Sequence, residues 1–144
     1  MDNEERVKRI AEVFDRLYPD ARCTLEFDNA LQLLVSAQLA AQCTDERVNM
    51  IAKTLYKKYP DAKDFADADL SELEEDIKPA GFFRNKARNI KNCCRMIVEE
   101  FSGKVPDNME DMLKLPGVGR KTANLVLGAC PETILKKSFH FYQF

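Results

Sequence analysis

The chain reads as an all-α helical bundle. Apolar residues recur at three- and four-residue spacings, no segment alternates as a strand would, and short Pro- or Gly-containing loops separate the periodic stretches. At 144 residues with five scattered cysteines, the chain can bury about two-thirds of its unfolded surface without a disulfide framework.

Val7, Ile10, Ala11, Phe14 and Leu17 mark a first amphipathic helix, closed by Pro19. Asp28 is expected to cap a second that buries Leu31, Leu34, Val35 and Leu39. Thr44 or Asp45 caps a third, with Val48, Ile51, Ala52 and Leu55 turned inward and a stop before Pro60. Ser71 opens a short fourth helix that ends near Pro79-Ala80-Gly81. From Phe83, the spacing of Ala87, Ile90, Cys94, Ile97, Val98 and Phe101 gives a long fifth, ended by Ser102-Gly103. Asn108 caps a sixth that ends at Leu115, and a seventh follows Gly117-Val118-Gly119. Residues 131 to 144 carry Phe139, Phe141, Tyr142 and Phe144 with no cap or stop signal. Either they pack as an extended tail or they are not the native end of this fold.

The net charge of −2 argues against a protein that coats nucleic acid without selectivity. The distribution is uneven, however. Arg84, Lys86, Arg88, Lys91 and Arg95 form a run with no intervening acid, and Lys114, Arg120 and Lys121 add a second cluster. Charge alone leaves the first run equally well explained as a solvated helix face. Cys23, Cys43, Cys93, Cys94 and Cys130 lack metal-site spacing and read as reduced, mostly buried thiols. The start of the chain is acidic and no apolar run is long enough to span a bilayer, so a soluble cytoplasmic protein with no membrane partner is expected.

Residues 115 to 123, Leu-Pro-Gly-Val-Gly-Arg-Lys-Thr-Ala, are the most informative stretch. Two glycines permit a sharp turn before an apolar helical segment, which makes a helix-turn-helix hairpin. The unpaired N–H groups at the start of the second helix, at the positive end of its dipole, form a phosphate cradle. Lys121 sits beside it, in the first turn. With that hairpin the basic run shifts toward a DNA-facing side.

The hairpin, Ala41-Gln42-Cys43-Thr44-Asp45 after an apolar helix, and Gly81-Phe82-Phe83-Arg84-Asn85-Lys86-Ala87 before a long one resemble the endonuclease III family of helix-hairpin-helix DNA glycosylases. The likeness runs from about residue 5 to about residue 129. It implies a six-helix barrel domain over 22–130 with the hairpin at about 108–128, a helix of an incomplete second domain in 1–21, and an atypical tail in 131–144. The implied function is base-excision repair by a bifunctional N-glycosylase and abasic-site lyase acting on oxidised pyrimidines in double-stranded DNA. By the same resemblance Lys121 is the nucleophile that attacks C1′ to give a Schiff base, which needs a neutral amine. Burial near the helix start, beside the Arg120 cation, is expected to favour that form. Gln42 and Phe82 match two inserting loops that fill the hole left by an extruded nucleotide, Gln42 facing the orphaned base and Phe82 wedging the stack. Arg84, Leu115, Gly117, Val118, Gly119, Arg120 and Thr122 complete the expected DNA-binding set. Blander roles stand beside these: Lys121 as a phosphate contact, Gln42 as a capping-loop residue, and Phe82 as a core anchor with Phe83 in its place. Asp45 is read as a cap.

Members of the family continue to a Val-Asp-Thr-His motif and to four cysteines that hold a [4Fe-4S] cluster. Neither pattern stands in this chain, so no cofactor and no metal are expected, and most of the cluster domain is missing. Glu132 is too early for the missing aspartate, and His140 follows Phe139 and reads as a tail residue. Three origins fit: a truncated gene product, a deliberately shortened chain, or a frameshift after about Gly128. The apolar surface left uncovered favours homo-oligomerisation or a tail folded back over it. Without the aspartate, base removal is expected to fall by about 10²- to 10⁴-fold while slow abasic-site cleavage survives. The rivals are a non-enzymatic helix-hairpin-helix DNA-binding module and a protein-interaction fragment.

Overall fold

The computed structural model of the chain describes residues 2–17 and 24–129, with the backbone alone for residues 11–17. All regular structure among them is helical: α1 (Asn3–Leu17), α2 (Ala30–Leu39), α3 (Asp45–Lys58), α4 (Ala62–Ala66), α5 (Leu70–Ile77), a 3-10 turn (Lys78–Ala80), α6 (Phe83–Glu100), α7 (Met109–Met112) and α8 (Arg120–Ala129). The expected all-α class is therefore the one observed.

Caps set most boundaries. The Thr44 hydroxyl accepts the Arg47 N–H at 3.3 Å and so caps α3, while Asp45 takes a hydrogen bond from the Thr24 hydroxyl. The cap of α2 lies one residue later than expected, at Asn29, whose side chain accepts the Gln32 N–H at 2.9 Å. Gln32 in turn accepts the Asp28 N–H, so Asp28 contributes backbone to the start of the helix and Asn29 its side chain. Asp69 caps α5, accepting the N–H of Ser71, which therefore lies inside the helix. Sequence reasoning missed α4. Five residues are too few to show a period, and the signal was the reciprocal pair Asp61 and Asp64 at its start.

Leu33, Leu34, Leu39, Phe65, Ile77, Ile90, Ile97 and Val126 are wholly buried and form the centre of the core. The Phe65 ring stacks on Tyr59 with centroids 4.9 Å apart and meets Tyr56 edge-on. Helix α2 touches α3, α6 and α8, while α6 lies against α4 and α5. An apolar sequence such as that of α2 suits a helix enclosed on several sides. The C-terminal end of α2 and the N-terminal end of α6 then deliver the two loops of interest.

Some expectations change. Leu31, Val98 and Phe101 are half-buried, and Ile10 of α1 is exposed, so the stripe expected to face inward from α1 is not fully covered by the described residues. Cys93 and Cys94 are buried and Cys43 half-buried. The side chains of Ala11, Phe14 and Leu17, together with Pro19, Cys23, Cys130, Glu132, His140 and the 131–144 tail, lie outside the described residues. No described helix is long and apolar enough to cross a membrane.

Candidate functional site

The hairpin is built as its sequence dictates. The Val118 N–H reaches the Leu115 carbonyl at 3.2 Å, with Pro116 at the second position and Gly117 at the third, where φ is +76°. That is a type II turn, which calls for glycine at the third position. Gly117 is needed a second time over, because a Cβ there would lie 3.0 Å from Asn89 Cβ on α6. Gly119 differs. Its φ is not positive, and a Cβ would meet nothing within 4 Å, so the turn itself does not require it.

Leu115 and Val118 are buried and pin the hairpin to the core. Any part that they take in the expected DNA-binding set falls to their backbone, since their side chains belong to the core. The first bond of the α8 ladder runs from the Ala123 N–H to the Gly119 carbonyl at 2.9 Å, which leaves the N–H groups of residues 120 to 122 ahead of it.

Two further turns approach the hairpin. Between α2 and α3, the Cys43 N–H closes onto the Ala40 carbonyl at 3.1 Å, and Gln42 at the tip is exposed with φ +54°. Before α6, Gly81 (φ +75°) leads into Phe82 (φ +46°), which is 66% exposed. Phe83 is the ring that packs against the core, flanked by the Arg84 guanidinium at 5.0 Å and the Lys78 amine at 5.7 Å. Left-handed backbone costs a residue other than glycine about 1–2 kcal/mol. At Ser102, the other described case, the strain is that of a helix stop, where the Gly103 N–H bonds the Ile97 carbonyl at 2.9 Å. At Gln42 and Phe82 the strain holds an exposed side chain outward at the tip of a loop.

These three turns enclose one cleft of about 310 Å³. Ala37, Gln38, Ala41 and Gln42 form one wall. Phe82, Asn85, Lys86 and Asn89 form the second, and Gly117 and Thr122 of the hairpin the third. Lys86 ties two of the walls together: its buried amine donates to the Leu39 carbonyl at 2.8 Å and to the Ala80 carbonyl at 3.0 Å. Burial pushes its pKa below the ordinary lysine value. Gln38 is also buried, and neither atom of its amide has a hydrogen-bond partner. The nearby Cys93 thiol, which burial pushes up to about 11, interacts with that amide without forming a hydrogen bond of good geometry.

The basic run of α6 divides in space. Arg84, Arg88 and Arg95 are exposed. Lys86 points inward, and the Lys91 amine donates to the Ala66 and Ala68 carbonyls at 2.7 Å, closing the end of α4. The run is therefore not a uniform DNA-facing stripe. In the second cluster, Lys114 pairs with Asp111 at 3.1 Å, and the hydrogen bond from Asn108, followed by that from Lys114, holds the carboxyl below its usual range. Arg120 and Lys121 are exposed, and among the described residues they have no ion-pair partner. The expected burial of Lys121 is thus corrected. Its amine stands in the open on the first turn of α8, one residue before the cleft-lining Thr122.

Sequence reasoning missed Gln38 and Lys86 as cleft residues. The available signal for Gln38 was a polar side chain interrupting an apolar helix; for Lys86 it was concealed by the neighbouring charges. Among the described residues no group of three or more His, Cys, Asp or Glu side chains comes together, so these residues do not supply the ligand set of a cluster.

A family model described as "HhH-GPD superfamily base excision DNA repair protein" matches residues 35–138. The chain is 53% identical over 124 residues to endonuclease III of Synechocystis sp., covering 86% of this chain and 57% of that protein. It is 42% identical over 127 residues to endonuclease III of Bacillus subtilis, covering 88% and 58%. Among solved structures, a non-covalent endonuclease III–DNA complex superposes with a TM-score of 0.79 at 40% identity, covering 92% of this chain and 62% of that one. A thermostable thymine-DNA glycosylase shares the fold, with a TM-score of 0.77 at 24% identity. The chain spans less than two-thirds of the length of each of these relatives.

Proposed function

The chain belongs to the HhH-GPD superfamily of base excision DNA repair proteins, and on that premise we propose that it engages damaged or abasic sites in duplex DNA through the cleft between its three turns. The observation that carries this is the convergence of Gln42, Phe82 and the hairpin on one cleft, with exposed Lys121 one residue before Thr122, which lines it.

In this reading the hairpin N–H groups, Arg120 and Arg84 take phosphates, Phe82 wedges the stack, and Gln42 faces the base left without a partner. Thr122 and Gly117 line the space for the extruded nucleotide. Lys121, in its neutral form, attacks C1′ of the ring-opened abasic sugar. Loss of water then gives the iminium, whose acidified C2′ proton passes to solvent water as the 3′-phosphate departs by β-elimination. An abasic aldehyde needs no base expelled, so this step is open to an amine alone. Removal of an oxidised pyrimidine, by contrast, develops positive charge on the sugar and calls for a carboxylate beside it. We assign this cleft abasic-site cleavage, and no cofactor to the described residues.

The exposure of Lys121 favours one second reading, in which Lys121 and Arg120 hold phosphates and the chain is a DNA-binding module without chemistry. A cytoplasmic site of action, at the nucleoid if the source is bacterial, the division at 1–21, 22–130 and 131–144, and self-association through uncovered apolar surface belong to the same proposal. Fluorescence anisotropy with a duplex carrying one tetrahydrofuran abasic analogue tests the core of it. The analogue should be preferred over intact duplex, and the preference should persist at raised salt while total affinity falls. Equal affinities throughout would refute it.

A further inference from the structure

We infer that Gln38 is a specificity residue, whose amide hydrogen-bonds the ring edge of the extruded pyrimidine itself. The inference rests on the reading above and adds what that reading lacks, a group that meets the base and not the sugar or the opposite strand.

Gln38 lies in the last two turns of α2, in the wall of the cleft, with 8% of its surface exposed. Neither its amide nitrogen nor its amide oxygen makes a hydrogen bond of good geometry, the Cys93 thiol being the one group that interacts with the amide, and solvent reaches neither atom. Burying an amide dry and unpaired is costly when an aliphatic side chain would fill the same position. Its helix neighbours Leu34, Val35 and Leu39 are of that kind. A polar group kept under such terms, against a cavity, is one whose partner arrives with a ligand. The side chain has three rotatable bonds with which to reach it.

The chemistry of the partner follows from the group. A primary amide sets a donor beside an acceptor and is matched by a ring edge offering an acceptor beside a donor. The N3–C4 edge of a pyrimidine is such an edge. Oxidation or reduction across C5–C6 destroys aromaticity but leaves that edge intact, so the amide reads the part of the ring that damage spares. The cleft, at about 310 Å³, stands at the small end of the roughly 300–1,000 Å³ range for ligand pockets, which suits one nucleotide. Two amides then divide the work: exposed Gln42 for the strand left behind, buried Gln38 for the base drawn in.

The test measures binding by the full chain to three duplexes. One carries a single 5,6-dihydrothymine made uncleavable by 2′-fluorination, one a tetrahydrofuran abasic analogue, and one is undamaged. Gln38→Leu should weaken dihydrothymine binding about tenfold, the scale of one bidentate contact, and leave abasic binding within about twofold. N3-methylation of the dihydrothymine should cost the native chain a similar factor and cost Gln38→Leu little, a readout that does not depend on how the variant folds. Unchanged dihydrothymine binding, an equal loss on the abasic duplex, or indifference of the native chain to N3-methylation would overturn the inference while leaving the proposed function standing. A native chain that does not distinguish the abasic duplex from the undamaged one would overturn both.

Discussion

Replacing each glycine of the hairpin by alanine separates folding from DNA contact. At Gly117 two costs add. A left-handed φ of +76° costs alanine about 1–2 kcal/mol. The new Cβ would stand 3.0 Å from Asn89 Cβ, an atom fixed to the backbone of α6, and overpacking of this kind costs about 1–3 kcal/mol. The stiffer unfolded chain returns about 0.4–1 kcal/mol, leaving a net loss of about 2–4 kcal/mol. At roughly 4 °C per kcal/mol for a chain of this length, Gly117→Ala should melt about 8–15 °C lower. Gly119→Ala meets open space at an unstrained φ, and its stability should stay within about 0.5 kcal/mol of the parent. In the proposed contact a phosphate sits on the N–H groups of residues 120 to 122, and a methyl group one residue ahead of them crowds that phosphate, so affinity for duplex DNA should fall by about tenfold, the value of a charge-assisted contact or two. Thermal unfolding by circular dichroism and anisotropy with a short duplex read both quantities. Equal destabilisation by the two variants, or full DNA affinity in Gly119→Ala, would refute this account of the hairpin.

Three further outcomes follow. Gln42→Gly should relieve left-handed strain and raise stability by about 0.5–1 kcal/mol, while Gln42→Ala should not; both should lose lesion preference in anisotropy, whereas a functionally idle loop would lose none. Lys86→Met should cost about 2–4 kcal/mol in urea unfolding, because the Leu39 and Ala80 carbonyls both lose a charged donor. Asp111 has a lowered carboxyl pKa, so the stability that it contributes is present above the usual value of 3.8 and lost as pH falls through the lower folded value. The melting temperatures of Asp111→Asn and parent should therefore differ near neutrality and converge in acid.

The sequence exposed the features that local chemistry decides. Thr44 and Asn108 are capping residues wherever a helix follows them, and Pro116-Gly117 has few turns open to it, so these positions were legible. Helix α4 was hidden because one and a half turns hold too few residues to show a period. The fates of Lys86 and Lys91 were hidden for another reason. Charge predicts exposure, but each amine instead closes carbonyls at the end of a distant helix, a need that arises only when the chain is folded. Lys121 failed in the opposite direction, since its burial was inferred from the chemistry required of it and not from its neighbours. The choice between Phe82 and Phe83 likewise turned on tertiary packing, with Phe83 anchored and Phe82 left outside.

The central claim is that the Lys121 amine reaches a sugar carbon in the cleft. Borohydride reduction during incubation with abasic duplex tests it most directly, with the adduct located by peptide mass mapping. The account predicts a covalent protein–DNA product attached at Lys121 and lost in Lys121→Ala. No product, or an equal yield from Lys121→Ala, would contradict it.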